Sequence, residues 1–256
     1  MLELINGNAR LLVDADHGGR IASLMIDGFD VLVADRPTCS PLMWGSYPMA
    51  PWAGRIRHGE FSYGGRSFAL APNSPPHAIH GTVFERPWTI AGPREISCDL
   101  GDTWPFGGRV LQRFALTPTR LHCTMEVHAG DVTMPAYLGW HPVFVKPDSM
   151  DFRATSMYRR DDEGIPDGTL VSPPPPGPWD DCFCGVDEPI SLHWGELVLR
   201  LSSDCQYWVV YDREAHATCV EPQSGPPDGL NLAPSTVEPS KPLIKRMTWD
   251  WAPLGN

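Results

Sequence analysis

The sequence predicts an all-β fold, a large antiparallel β-sandwich, and three observations point to it. Twenty-eight prolines and 24 glycines punctuate the 256 residues. Between them lie apolar runs of strand length, and no segment keeps a convincing helical period for more than two turns. Glycine-containing turn pairs recur at short intervals, as in strands joined directly to their neighbours. All-β sandwiches of this size commonly form one core, so residues 1–256 are expected to make a single domain.

Residues 2–33 read as a meander with turns at Asn6-Gly7-Asn8, His17-Gly18-Gly19 and Asp27-Gly28. Residues 35–53 carry Pro37, Pro41, Pro48 and Pro51, which makes them irregular and suits them to a cleft wall. Trp44 and Trp52 lie there and, like most of the ten tryptophans, are assigned to the core. Residues 58–63 reach the Gly64-Gly65 turn and resume over 66–70, a hairpin expected to carry Arg55 at one end and His80 beyond the other. The Pro-rich loop after it presents His77 and His80. Turns and strands alternate over 84–126 and on to 128, with His122 and His128 inside alternating segments. In residues 132–146, Gly139-Trp140-His141-Pro142 interrupts an apolar strand; an imidazole before proline is held extended at such a break, which aims its side chain. Residues 160–181 read as a long loop stiffened by four consecutive prolines, leading to Asp180 and Asp181. Strands return from Ile190. The apolar run 217–220 delivers Glu221 beside the rigid loop 222–228, an environment that raises a carboxyl's pKa toward the range of a general base. Residues 242–251 form the closing strand.

Composition excludes several function classes. Lysine and arginine total 20 against 31 for aspartate and glutamate, a net charge of −11, which argues against a nucleic-acid partner. Glu3, Arg10, Asp14, Asp16 and Arg20 make the first 25 residues too polar for a secretory core, and no apolar run reaches the length of a membrane span. A cytoplasmic protein without a membrane partner is expected. Seven cysteines, at 39, 98, 123, 182, 184, 205 and 219, are odd in number and scattered, which suits reduced thiols. Cys182 and Cys184 have no second Cys/His pair at zinc-ribbon distance, so no metal is expected.

Several short elements occur in one order: Gly54-Arg55-Ile56, Gly59-Glu60-Phe61, Gly65, Asn73, Ile79-His80-Gly81, His141-Pro142 with Phe144, Trp179-Asp180-Asp181-Cys182-Phe183, and Val220-Glu221-Pro222 followed by Pro227, Asp228 and Asn231. Together they resemble the aldose 1-epimerase, or galactose mutarotase, family. The resemblance implies a mutarotase-like supersandwich with a small-molecule sugar in a cleft, acting as a monomer or homodimer. It implies interconversion of α and β anomers by acid and base groups, with no cofactor. Glu221 would be the base at the O1 hydroxyl, His141 the acid at ring oxygen O5, and His80 their helper. Arg55 and Asp180 would bind hydroxyls, with Asp181 the alternative to Asp180 and with His77 and Trp140 as further substrate contacts. Gly54 stands where many members have asparagine and Val143 where they have tyrosine, which suggests a divergent branch with its own substrate.

Two other readings stay open. Arg55, Arg57 and Arg66 are close enough in sequence to clamp an anionic sugar. A non-catalytic sugar sensor would share the fold, although it would be expected to lack Glu221 or a histidine. A metal enzyme using His77, His80 and Glu85 is disfavoured, because His-x-x-His does not place two side chains on one strand face.

Overall fold

The computed structural model describes residues 1–37 and 40–252; Cys39 lies outside them. Among the described residues, an eleven-stranded antiparallel sheet runs in the order Leu2–Asn6, Ala9–Asp14, Arg20–Ile26, Ser46–Met49, Gly139–Val145, Ala217–Gln223, Tyr207–Tyr211, Asp180–Val186, Ala154–Arg160 and Pro166–Val171, with Phe29–Asp30 paired to the third strand. A second sheet of eight strands is centred on Arg109–Thr117, Arg120–His128, Leu243–Trp251 and Leu197–Ser203. The expected large antiparallel β-sandwich is therefore what the chain forms.

Alternation explains how the sheets pack. Arg109–Thr117 and Arg120–His128 bury every second residue, the pattern of strands with one face on a core. Gly139–Val145 and Ala217–Gln223 are buried almost throughout, because they lie mid-sheet with cover on both faces. Trp140, Phe144 and Trp249 belong to one apolar cluster, and Phe144 and Trp249, from the two sheets, bring their rings within 5.1 Å. Gln112 ties the layers with polar bonds, donating to the Gly19 carbonyl at 3.0 Å and accepting from Trp140 Nε1 at 3.1 Å. The six described cysteines are all free thiols.

The meander, the Gly64-Gly65 hairpin and the closing strand form where the sequence places them. Five expectations need correction. Residues 35–53 are not all irregular, because Ser46–Met49, Pro48 included, is a strand inside the large sheet. The strand carrying Glu221 does not stop there but runs on through Pro222 to Gln223. The hairpin Glu60–Tyr63 with Arg66–Ala69 does not carry Arg55, because a 3₁₀ turn at Arg57–Gly59, with His58 at φ 51° and Gly59 at φ 72°, breaks the chain first. Arg55–Ile56 instead pairs with Ala78–Ile79. The 160–181 segment is not all loop: Pro166–Val171 is a strand, pinned to Ala154–Arg160 by Arg159, which reaches Asp167 and Thr169. Gly139 to Pro142 does not end a strand. It lies inside Gly139–Val145, and only the ladder toward Ala217–Gln223 opens there, with recorded pairs at Gly139–Gln223 and next at Val143–Cys219. Pro142 and Pro222 both fall within that gap, and neither has an N–H to donate.

Candidate active site

The register of the large sheet assembles the site. Gly139 pairs with Gln223 and Val143 with Cys219, so His141 stands directly across from Glu221. On the other side His141 pairs with Tyr47, while Glu221 pairs with Val209 and Val209 with Cys182. Side chains in register on neighbouring strands share a face. One transverse row therefore carries Tyr47, His141, Glu221, Val209 and Cys182, with Gln223 and Cys219 two positions either side of Glu221.

His141 Nε2 lies 3.1 Å from Glu221 Oε1, and both residues are more than nine-tenths buried. Gln223 Nε2 donates to the other Glu221 oxygen at 3.0 Å. Tyr47 stacks flat on the His141 ring with centroids 4.5 Å apart, and the His80 ring stands edge-on to His141 at 5.0 Å. Burial drives the pKa values apart. It pushes the Glu221 carboxyl well above the usual carboxylate range, with the neighbouring charge of Asp180 acting the same way, and it pulls His141 down to about 3. His80 is likewise lowered, first by burial and then by His141 and Arg55.

His80 and Arg55 come from the small two-stranded ribbon above the sheet, which is tightly anchored. Asn73 Oδ1 accepts from the Ile79 N–H at 2.7 Å and its amide donates to the Ile79 carbonyl at 3.0 Å. His80 adopts φ 60°, a left-handed conformation uncommon outside glycine, and its N–H donates to the Gly54 carbonyl at 3.0 Å. Asp228 donates its N–H to the Arg55 carbonyl at 2.6 Å and accepts from the Arg57 N–H at 3.0 Å. The motif residues Asn73 and Asp228 thus act as backbone clamps. Gly54 has φ 69°, and a Cβ there would sit 2.8 to 2.9 Å from Pro227, including its Cα, so this cleft has no room for the asparagine many relatives carry.

A cleft of about 250 Å³ opens over the row, and Arg55, His80, His141, Asp180 and Glu221 all line it. Of the residues expected at the site, His77 and Trp140 do not. His77 is buried outside the cleft and its Nδ1 accepts the His58 N–H at 3.1 Å. Trp140 is one residue out of phase with His141, so strand alternation turns it into the interior between the sheets. The three arginines do not converge either. Arg57 pairs with Asp161 and Glu163, and Arg66 lies against Phe68 on the hairpin.

Four cleft or support residues were not singled out from the sequence. Arg160 bridges both aspartates, with NH1 at 2.8 Å from Asp180 Oδ2 and Nε at 2.9 Å from Asp181 Oδ1. Both carboxylates line the cleft, so the two candidates form one arginine-bound unit. Gln223 was findable by period two from Glu221. Tyr47, and Arg20 behind it, had no local signal, since only long-range register brings them to His141. Among the described residues, the group with donor atoms close enough to hold a metal ion is His141, Cys219 and Glu221. The sequence did not foresee that cluster.

Comparison with known proteins identifies the family and the fold. The aldose 1-epimerase family model matches residues 1–177, which include Arg55, His80 and His141. The uncharacterized protein YphB of Escherichia coli (strain K12) is 29% identical over 147 residues, 55% of this chain and 50% of that protein. The match spans about half the length of that curated relative. A candidate aldose 1-epimerase from Escherichia coli K12 superimposes with a TM-score of 0.86 at 19% identity, covering 99% of each chain. Galactose 1-epimerase from Lactobacillus acidophilus NCFM gives 0.82 at 16% identity, covering 98% of this chain and 93% of its own. At such identities the structural likeness carries the fold alone, and the family rests on the match through residue 177. With well over half of its length matched in sequence, the chain belongs to the aldose 1-epimerase family.

Proposed function

We propose that this chain interconverts the α and β anomers of a neutral aldopyranose by opening and reclosing the ring. The observation that carries the reading is the His141–Glu221 contact of 3.1 Å at the base of a cleft that also receives His80 and Arg55. Ring opening requires one proton taken from O1 and one given to O5, and a couple that shares a single proton does both. Burial favours the neutral pair, while the Gln223 hydrogen bond and then the Arg55 charge favour the Glu221 carboxylate. With the proton on His141, Glu221 takes the O1 proton as His141 protonates O5. The open aldehyde turns about C1–C2, and the couple runs backward to close the ring from the other face. No proton is gained or lost overall. His80 lies against His141 and supports the charge that develops near O5.

The cleft supports a small neutral substrate. Its volume lies below the roughly 300–1,000 Å³ of drug-sized ligand sites, which suits one sugar ring. Arg160 is neutralised by Asp180 and Asp181, leaving Arg55 as the cleft guanidinium without an ion-pair partner among the described residues. Donors on Arg55 and acceptors on Asp180 match the mixed needs of sugar hydroxyls.

Polarimetry on freshly dissolved α-glucose, α-galactose and a panel of acidic and deoxy sugars tests this. Glu221→Gln and His141→Asn are each expected to lower the catalysed rate by about 10² to 10⁴-fold. Wild-type acceleration of anionic sugars alone would transfer the assignment to those substrates. Binding of a sugar without acceleration would make the chain a sensor.

A further inference from the structure

We propose that the floor of the cleft takes a thiophilic divalent cation, zinc or cadmium, on His141 Nε2, Cys219 Sγ and the Glu221 carboxylate, and that an ion held there stops the proton transfers. The ion is an inhibitor in this proposal, not a cofactor. Its inhibitory half rests on the function proposed above, while binding stands on geometry alone.

A ring nitrogen of His141, Cys219 Sγ and a carboxylate oxygen of Glu221 lie within 4.8 Å of one another, and all three residues are buried. Cys219 has no part in the proposed chemistry. It is there because it precedes Glu221 by two residues on one strand and so shares its face, with His141 in register across the gap. One imidazole, one thiolate and one carboxylate form a donor set suited to a borderline-soft ion. Bonds of about 2.0–2.3 Å in tetrahedral geometry need donors about 3.3–3.7 Å apart. His141 and Glu221 are near that already at 3.1 Å, and closing the rest of the triangle needs a shift on the order of 1 Å. Three protein ligands leave a fourth position for water or a sugar hydroxyl. Gln223 holds the second Glu221 oxygen, as outer partners orient ligating carboxylates. On binding, the thiol proton passes to buffer, and the ion occupies the nitrogen and oxygen that exchange protons with the sugar.

The test is a titration of the full chain with Cd²⁺, read by the ultraviolet thiolate-to-cadmium absorption, beside polarimetry with Zn²⁺. One absorbing ion per chain is expected in wild type. Cys219→Ala should lose the band and weaken binding by at least about the 10 to 100-fold that outer-partner losses cost, while keeping wild-type mutarotation and escaping zinc. Should Cys219→Ala not fold, Cys219→Val takes its place in the buried strand. Cys182→Ala, at the cysteine that lines the cleft, should bind as wild type does. A band that survives loss of Cys219, one that disappears with Cys182, or no band at all overturns the site. If no sugar is turned over, the optical titration still decides the site by itself. If zinc binds there and mutarotation continues at full rate, the inhibitory half is wrong.

Discussion

Replacing Arg20 by methionine is expected to cost about 2–5 kcal/mol of stability, although Arg20 is outside the cleft. The side chain is 2% exposed. Its fork donates to the carbonyls of His17 at 2.8 Å, Pro41 at 2.9 Å, Trp44 at 3.1 Å and Phe84 at 3.2 Å, and its carbon lies 4.0 Å from the Trp44 ring and 5.2 Å from that of Tyr47. Burial lowers its pKa to about 10, so it stays charged at neutral pH. Methionine keeps the length and apolar stem but orphans the carbonyls. Two of the bonds, to Trp44 and Phe84, are fully buried, and an unsatisfied buried acceptor costs about 1–3 kcal/mol. Those two alone give about 2–6 kcal/mol, and relief of the guanidinium's desolvation trims the upper end. Against a typical total of about 5–15 kcal/mol this is a large change. Urea unfolding followed by tryptophan fluorescence measures it as a lower midpoint at constant slope. Mutarotation should slow as well, because Tyr47, which backs His141, loses the cation behind it. A loss under about 1 kcal/mol would show that the four carbonyls find other donors and that Arg20 is not the post on which this wall rests.

Three further outcomes follow from the geometry. Glu221→Gln should stabilise the fold, and increasingly so at higher pH. The raised pKa means that the unfolded carboxyl ionises from about pH 4.5 while the folded one keeps its proton, so wild type loses about 1.4 kcal/mol per pKa unit as pH climbs toward the folded value. Paired melting curves from pH 5 to 8 measure the change for the His141–Glu221 couple as a unit, and a constant gap would refute it. Gly54→Asn should cost about 1–3 kcal/mol and raise KM, since its Cβ meets Pro227 at under 3.0 Å; calorimetry and polarimetry report the two. Trp140→Phe should leave KM unchanged but lower stability by about 1–3 kcal/mol through the orphaned Gln112 acceptor, and a KM effect would return Trp140 to the cleft.

The fold was legible because turn chemistry is local. Asn6-Gly7 and Gly64-Gly65 announce their hairpins whatever the rest of the chain does. The site was legible only where a motif carried it. Arg55, His80, His141, Asp180 and Glu221 do meet in one cleft. Their support was not visible, since Arg160 reaches Asp180 across twenty residues and Arg20 gathers carbonyls up to 64 residues away. Two of the expected contacts, Trp140 and His77, lie outside the cleft. Sequence neighbours on a strand face opposite ways, so Trp140 turns from the cleft that His141 enters, whereas His77 is held by the backbone of His58.

His141-Pro142 and Glu221-Pro222 were read as a strand break and a loop entry, yet both dipeptides sit inside strands. Each proline removes one N–H from the space between those strands, where the recorded ladder skips from Gly139–Gln223 to Val143–Cys219. On the sheet face over this gap, the side chains of His141 and Glu221 make their contact. Flanking strands on both sides fix the two backbones, so the imidazole and carboxyl meet at 3.1 Å without a loop having to order. Under the proposed mechanism, a couple that passes one proton in either direction gains from such rigidity, since both ends of the transfer are in place before a sugar binds. The same placement explains why burial raises the Glu221 pKa and lowers that of His141: both side chains are held out of water by the sheet around them.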